Sequence, residues 1–428
     1  MKTLMFGWEF PPHITGGLGT ACQGLTTGLA KQQVEVLFVM PSASGDEDQS
    51  SVKIINASDT PAFTSIKEVE TYLSKVHFVK IDSLMVPYLS PEEYSHISEQ
   101  DVVHQREWWW GELGKKYTFS GKYGANLMEE VARYAMVAAT IASSHTFDVI
   151  HAHDWLTYMA GITAKRISGK PLVVHVHATE YDRSGENVNS QVFHLEQHGM
   201  QEADRVITVS NLTRNIVIQR YGIHPNKVVT VHNGVDFQGK SAMEVERGVL
   251  DKIVTFLGRI TYQKGPEYFI EAAAKVLKRY SKVRFVMAGS GDMFYRSIRR
   301  VAKLGIADRF HFTGFLRGAD VQKMFSYSDV YVMPSVSEPF GISPLEAMQS
   351  NVPVIISKQS GVAEVLRHAI KIDFWDVNAM ADAIYGLLEY PALSTMAARC
   401  GLEEVNRLKW DKAAEQVAQI YHQVTNLQ

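Results

Sequence analysis

Two glutamates, Glu338 and Glu346, bracket the run of residues best equipped for chemistry: Ser337-Glu338-Pro339-Phe340-Gly341-Ile342-Ser343-Pro344-Leu345-Glu346. Ser343 and Glu346 have capping-box spacing with Pro344 at the first helical position, so Glu346 has a structural use at a helix start. Glu338 has no such use. It lies in a loop just past an apolar run, where a carboxylate can face a cleft, and Gly341 lets the loop backbone approach a ligand. Cations occur in a second cluster, Gly258-Arg259 followed by Lys264-Gly265-Pro266. Pro266 suits a first helical turn, which puts Lys264 at the positive end of that helix. A lysine and a guanidinium there make a diphosphate clamp, since guanidinium binds two oxygens at once. Taken as an isolated pair they are equally two surface cations.

Three further patterns each admit more than one use. Gly16-Gly17-Leu18-Gly19 is either a turn whose free amides meet an anion or only a tight strand-to-helix turn, and it lacks the third glycine of a dinucleotide fingerprint. His151-Ala152-His153-Asp154-Trp155 has a spacing a metal could use, but no companion histidine pair or cysteine cluster completes it, so no metal is expected. The remaining uses are a cleft histidine that bonds a sugar hydroxyl or phosphate and a buried histidine, and one of His151 and His153 is expected to be the latter. Trp108-Trp109-Trp110, with Tyr117, Phe119 and Tyr123, can stack on sugar rings as an acceptor site or form a satellite core under a loop.

Such residues act together only if the chain brings them to one place. Thr3–Phe6, Val34–Met40, Val149–His151, Leu172–His177, Val206–Val209 and Val228–Val231 read as buried parallel strands, alternating with amphipathic helical patterns. After Asn233-Gly234-Val235-Asp236 comes a polar stretch, taken as a linker over 237–251. The alternation restarts over 252–410, with strands at Ile253–Leu257, Arg284–Ala288, Phe310–Thr313, Val330–Met333, Val354–Ile356 and Ile370–Ile372. The expected fold class is α/β, with two Rossmann-like doubly wound domains, 1–236 and 252–410, facing across a cleft. A last helix near 411–428 has no strand to follow and is expected to pack back on the first domain. In such sheets ligands sit beyond the carboxyl ends of the strands, which is where every pattern above falls.

Composition narrows the function. The 428 residues suffice for two domains, and a net charge of −3 argues against a nucleic-acid partner. The two cysteines, Cys22 and Cys400, have neither disulfide nor zinc spacing. The N-terminus lacks a signal-peptide layout and no apolar run reaches membrane-span length, so a cytoplasmic location is expected.

As a set, these residues resemble the retaining glycosyltransferases of the GT-B fold, family four, close to the glycogen and starch (α-glucan) synthases. The resemblance runs from Trp8-Glu9-Phe10-Pro11-Pro12 to Glu346 and includes His153-Asp154-Trp155 and Asn233-Gly234-Val235-Asp236. It implies that Arg259 and Lys264 clamp the donor phosphates, that Glu338 lies near the transferred sugar, and that Glu346 contacts the donor ribose. It further implies that His153 stands beside the reacting sugar, that the Gly16–Gly17 turn meets the distal phosphate through the Gly17 amide, and that Gly341 and Ile342 line the donor site. Where those synthases carry a lysine two residues before the paired glycines, this chain has Ile14. The segment His177-Ala178-Thr179-Glu180-Tyr181-Asp182-Arg183-Ser184-Gly185 looks like relatives of the glucan synthases. The expected reaction is therefore transfer of glucose from ADP-glucose or UDP-glucose to an α-glucan, with no cofactor. Another saccharide acceptor, a nucleotide-sugar epimerase, a glucan phosphorylase and a non-catalytic sugar binder are the competing readings. A phosphorylase would need a pyridoxal phosphate lysine, for which no local context stands out.

Overall fold

The computed structural model describes residues 1–13, 16–65, 113–124, 126–235, 248 and 250–426, and the backbone of 79–81 and 84–86. Ile14, Trp108, Trp109, Trp110, Asp236 and nearly all of the expected linker lie outside the described residues.

The apolar runs form two all-parallel sheets. In the first, β1 (Lys2–Phe6), β2 (Glu35–Met40), β3 (Lys53–Asn56), β6 (Val149–His153), β7 (Leu172–Val176), β8 (Arg205–Thr208) and β9 (Val228–Thr230) lie in the order β3-β2-β1-β6-β7-β8-β9. In the second, β10 (Lys252–Leu257), β11 (Val283–Ala288), β12 (Phe310–Gly314), β13 (Val330–Met333), β14 (Val354–Ser357) and β15 (Ile370–Ile372) lie in the order β12-β11-β10-β13-β14-β15. A short antiparallel pair, β4 (Val79–Ile81) and β5 (Leu84–Val86), stands apart. Both large sheets reverse direction beside their first strand, between β1 and β6 and between β10 and β13. Those two points open the crevices that doubly wound sheets use for ligands. Sequence reading missed β3, because Lys53-Ile54-Ile55-Asn56 offers only two apolar residues and an edge strand needs little more.

The helices that cover the sheets begin and end where local chemistry dictates. The α1 helix (Gly17–Lys31) opens at the glycine run, and α2 (Leu127–Ser144) buries Tyr134, Val137, Ala138 and Ile141. The α3 helix (Trp155–Ser168) stops at Gly169, whose φ of 72° is the left-handed cap that glycine adopts without penalty. Next come α4 (Glu180–Ser184), α5 (Ser190–Glu202) and α6 (Asn211–Tyr221), capped by the side chains of Thr179, Asn189 and Ser210. In the second half, α7 (Pro266–Leu277), α8 (Phe294–Lys303), α9 (Ala319–Tyr327), α10 (Ser343–Gln349), α11 (Val377–Glu389) and α12 (Pro391–Val405) cover the second sheet.

The last helix, α13 (Trp410–Thr425), lies on α1. A Cβ at Gly24 would stand 2.2 Å from the Trp410 indole, and one at Gly28 would stand 2.7 Å from the Ala414 Cβ. Two glycines four apart thus cut the groove that receives the C-terminal helix. Trp410, Ala414, Val417 and Tyr421 join one buried cluster with Met5, Leu25, Leu29 and Phe38 of the first sheet layer. Among the described residues no helix is long and apolar enough to cross a membrane.

Candidate active site

The second crevice gathers the residues singled out in the second half. Arg259 follows β10 directly and is exposed. Lys264 ends a 3-10 turn, Tyr262–Lys264, and Gly265 (φ 65°) then redirects the chain into α7. No other residue fits at Gly265, since a Cβ there would stand 2.2 Å from the Pro334 carbonyl oxygen. The loop after β13 is fastened to this turn, with the Val336 amide donating to Gln263 O at 2.8 Å. It is fastened on its other side to the loop after β14 by Glu338 N–H to Gln359 O (3.0 Å) and Gly361 N–H to Glu338 O (2.8 Å). Glu338 is consequently 6% exposed. Its carboxylate forms an ion pair with the Lys264 ammonium and accepts the Ser335 hydroxyl at 3.1 Å. The expected clamp lysine and the expected sugar-side glutamate are therefore direct partners, which their separation in sequence concealed.

Glu346 departs from expectation. The α10 helix starts at Ser343, with Ile342 as its N-cap and no side-chain cap, so no capping box forms. The Glu346 amide donates to Ile342 O at 3.2 Å, and the Ser343 hydroxyl accepts from the buried Tyr331 phenol at 2.8 Å. Glu346 is left half-buried, and its carboxylate has no hydrogen-bond partner among the described residues. Burial alone raises its carboxyl to about 6.

The first crevice holds the glycine run and the histidines. Gly16 and Gly17 are exposed, and the Gly19 amide donates to the buried Glu9 carboxylate at 3.3 Å. A Cβ at Gly17 would stand 3.9 Å from the Ile342 side chain of the other domain, so the N-termini of α1 and α10 approach each other across the cleft. His13, just before Ile14, is bound to Asp46 at 2.8 Å.

His153 is not on the cleft wall. It is fully buried, at 0% exposure, and so is His151. Parallel pairing of β6 with β7 sets His153 opposite His175, and alternate residues of both strands stack four imidazoles, His151, His153, His175 and His177, on one face. His177, at the end of β7, is half-buried and lies nearest the cleft; its Nε2 is 2.9 Å from His153 Nδ1. Burial lowers all four rings: His151 to about 3, helped by His177, and His177 to about 3 by burial alone. His153 and His175 move the same way by burial and then by neighbouring rings. The expectation that the first His-x-His has no companion pair is wrong: His175-Val176-His177 is that companion, legible at the next strand end.

Nitrogens of His151, His153 and His175 lie within 4.8 Å of one another. Their ring planes, however, differ by only 16° to 28°. A metal binds imidazole nitrogen along a lone pair in the ring plane, and near-parallel planes do not converge on one point.

Asp154 fixes the β7–α4 turn. Its backbone, at φ 59° and ψ 169°, occupies a region nearly confined to glycine. Its carboxylate accepts the His177 amide at 2.7 Å and the Ala178 amide at 3.4 Å. Burial raises that carboxyl to about 6, against the opposing pull of Arg183 and the two amides. Further along, the Asp182 carboxylate accepts the Ser337 hydroxyl at 2.6 Å, which ties the first domain to the residue beside Glu338.

Comparison with known proteins gives the family and the fold. Residues 2–228 match the family described as the starch synthase catalytic domain, and residues 244–403 match glycosyl transferases group 1. The chain is 29% identical to an uncharacterized glycosyltransferase of Methanocaldococcus jannaschii, covering 98% of each chain. It is 25% identical to a glycogen synthase of Mycobacterium tuberculosis, covering 98% of this chain and 94% of that one. The solved catalytic domain of starch synthase IV from Arabidopsis thaliana, bound to ADP and acarbose, shares the fold with a TM-score of 0.68 at 14% identity, each chain being 99% covered. With two parallel-sheet domains, both halves matched and the glycines, cations and glutamates at their crevices, this chain belongs to the starch synthase catalytic domain family and is a GT-B glycosyltransferase of family four, near the glycogen and starch synthases.

Proposed function

We propose that this glycosyltransferase moves glucose, with retention at the anomeric carbon, from ADP-glucose or UDP-glucose to an α-glucan. The observation that carries the reading is the Lys264–Glu338 pair at the second crevice, with exposed Arg259 on the neighbouring strand end. A full-length relative that is a glycogen synthase supports glucan as the acceptor. Arg259 and Lys264 stabilise charge on the leaving diphosphate, with the Gly17 amide on the distal phosphate and the Gly341–Ile342 backbone alongside. The bond from the anomeric carbon to the diphosphate oxygen breaks. A bond to the acceptor hydroxyl oxygen forms on the same face, and that hydroxyl's proton passes to the departing diphosphate oxygen. Glu338 and His177 orient the sugar, and Glu346 takes the ribose hydroxyls. Charge is met by side-chain cations, so the transfer needs no metal. The two unpaired cysteines suit a reducing cytoplasm.

The test is incubation with a panel of nucleotide sugars, with and without maltooligosaccharide, reading released nucleotide and chain length. ADP- or UDP-glucose with a lengthened oligosaccharide is the expected result, unchanged after chelation. Turnover of mannose or N-acetylglucosamine donors alone would remove the glucan assignment. A rate lost to chelator and restored by manganese or magnesium would remove metal independence.

A further inference from the structure

The stacked histidines carry an inference about how the cleft histidine is prepared. Between His153 Nδ1 and His177 Nε2, 2.9 Å apart, one proton is shared, and which ring owns it decides what His177 offers the cleft. The far nitrogen of His153, Nε2, is sealed from solvent and has no partner. If that nitrogen carried the proton, an N–H donor would be buried unmatched. If Nδ1 carries it, only a lone pair is left unmatched, and orphaned donors are the rarer of the two in folded proteins. His151 obeys the same logic, whereas His175 has both nitrogens sealed and unpartnered. His151 bonds through Nδ1 to the Tyr421 hydroxyl. Its Nε2 is sealed and unpartnered, so the same reasoning makes His151 the Nδ1–H donor and leaves Nε2 a bare lone pair.

We propose that His153 is a positioning residue: by donating from Nδ1 it holds His177 as the neutral tautomer with Nε2 unprotonated, so that His177 presents a fixed Nδ1–H donor to the cleft. The Nδ1 atom of His177 bonds to no described residue and is not among the sealed atoms. The Asp154 carboxylate holds the His177 backbone from the other side, through the amide at 2.7 Å. Donor direction is thus set by His153 and ring position by Asp154. The burial of all four rings keeps the stack neutral, so the donor survives across the working pH range. The kinetic part of this inference rests on the proposed sugar-orienting role of His177; the tautomer itself does not.

The experiment compares three replacements of one side chain. Asn places its amide N–H where Nδ1 stood, Gln places it near Nε2, and Phe fills the volume with no donor. Long-range proton–nitrogen spectra of protein labelled with 15N-histidine report each tautomer, and His177→Gln identifies the His177 signals. Wild type and His153→Asn are expected to show His177 protonated at Nδ1. His153→Gln and His153→Phe are expected to lose that state and to lower kcat about tenfold, a change of about 1.4 kcal/mol, with the donor KM held within about twofold. Wild-type His177 protonated at Nε2 would overturn the proposal. So would a tautomer unchanged in all three variants, even if each melts earlier, since that marks a purely structural residue. Because the spectra are read without substrate, a wrong guess about the sugar leaves this arm intact.

Discussion

Glu346 is the residue whose role changes most once its surroundings are known. As a cap it would support the fold; without one, its burial costs stability whenever it is ionised. Its folded value, about 6, lies above the unbound 4.5, so the folded state holds the extra proton between those values. Stability is therefore full below about pH 4.5 and falls as pH rises through about 6. Glu346→Gln is expected to raise the melting temperature at pH 7.5, by about 1 kcal/mol of stability, while weakening nucleotide-sugar binding. Calorimetric melting beside donor titration checks it; a lower melting temperature would show a structural carboxylate after all. Glu338 is the converse case. Glu338→Gln leaves the Lys264 ammonium, only 20% exposed, without its counter-charge and should cost about 1–2 kcal/mol. Adding Lys264→Met should recover the melting temperature and not kcat/KM, which separates the structural share of the pair from its proposed share in transfer.

At the scale of elements, the cleft depends on a helix that never reaches it. The α13 helix lies in the groove made by Gly24 and Gly28, and its Tyr421 reaches under the sheet to His151. Gly28→Val puts two methyl groups where Ala414 already stands and should destabilise by about 1–3 kcal/mol through overpacking. Denaturant unfolding reads that loss. Kinetics at low temperature are expected to stay near wild type for the molecules that remain folded, because neither glycine lines a crevice. The loops after β10, β13 and β14 behave differently. They are bonded to one another through backbone groups at Gln263, Val336, Glu338, Gln359 and Gly361, so the Glu338 carboxylate stands on a stitched surface rather than a free loop.

At the scale of the whole molecule, two features act together, the bridge between domains and the neutral core beneath the cleft. Glu364 of the second domain accepts the Asn211 and Leu212 amides at the start of α6, at 2.9 and 2.7 Å, and bonds His232 at 2.9 Å. With Ser337 and Asp182 it joins the two halves on both sides of the Glu338 loop. The histidine stack makes the first domain acid-sensitive. Each ring is neutral when folded, with His151 and His177 titrating near 3 against an ordinary 6.5. Below about pH 6.5 the unfolded chain binds protons that the folded one refuses, so stability falls as pH drops, by about 1.4 kcal/mol per pH unit for each such ring. The loss continues toward pH 3 for His151 and His177. Chemical denaturation at pH 7, 6 and 5 is expected to show this slope, and His175→Phe to make it shallower. A flat profile would mean the rings take up protons in the folded state.

The sequence by itself determined the parallel strands, because a strand buried on both faces must be a continuous apolar run, and such runs are local. It also placed the glycines, cations and glutamates at strand ends, where α/β crevices lie. It missed β3, too short and too polar to announce itself. Tertiary structure alone decided partners. Ser343, expected to cap the helix, lies inside it and receives the Tyr331 phenol from another strand. Whether Lys264 and Glu338 meet turned on how the turn after β10 docks against the loop after β13. Which histidine stands at the open strand end was fixed by how far β7 extends beside β6. Propensity and spacing act along the chain over a few residues. Burial and ion pairing depend on what arrives from far away, and for these carboxylates and imidazoles that arrival sets both charge and use.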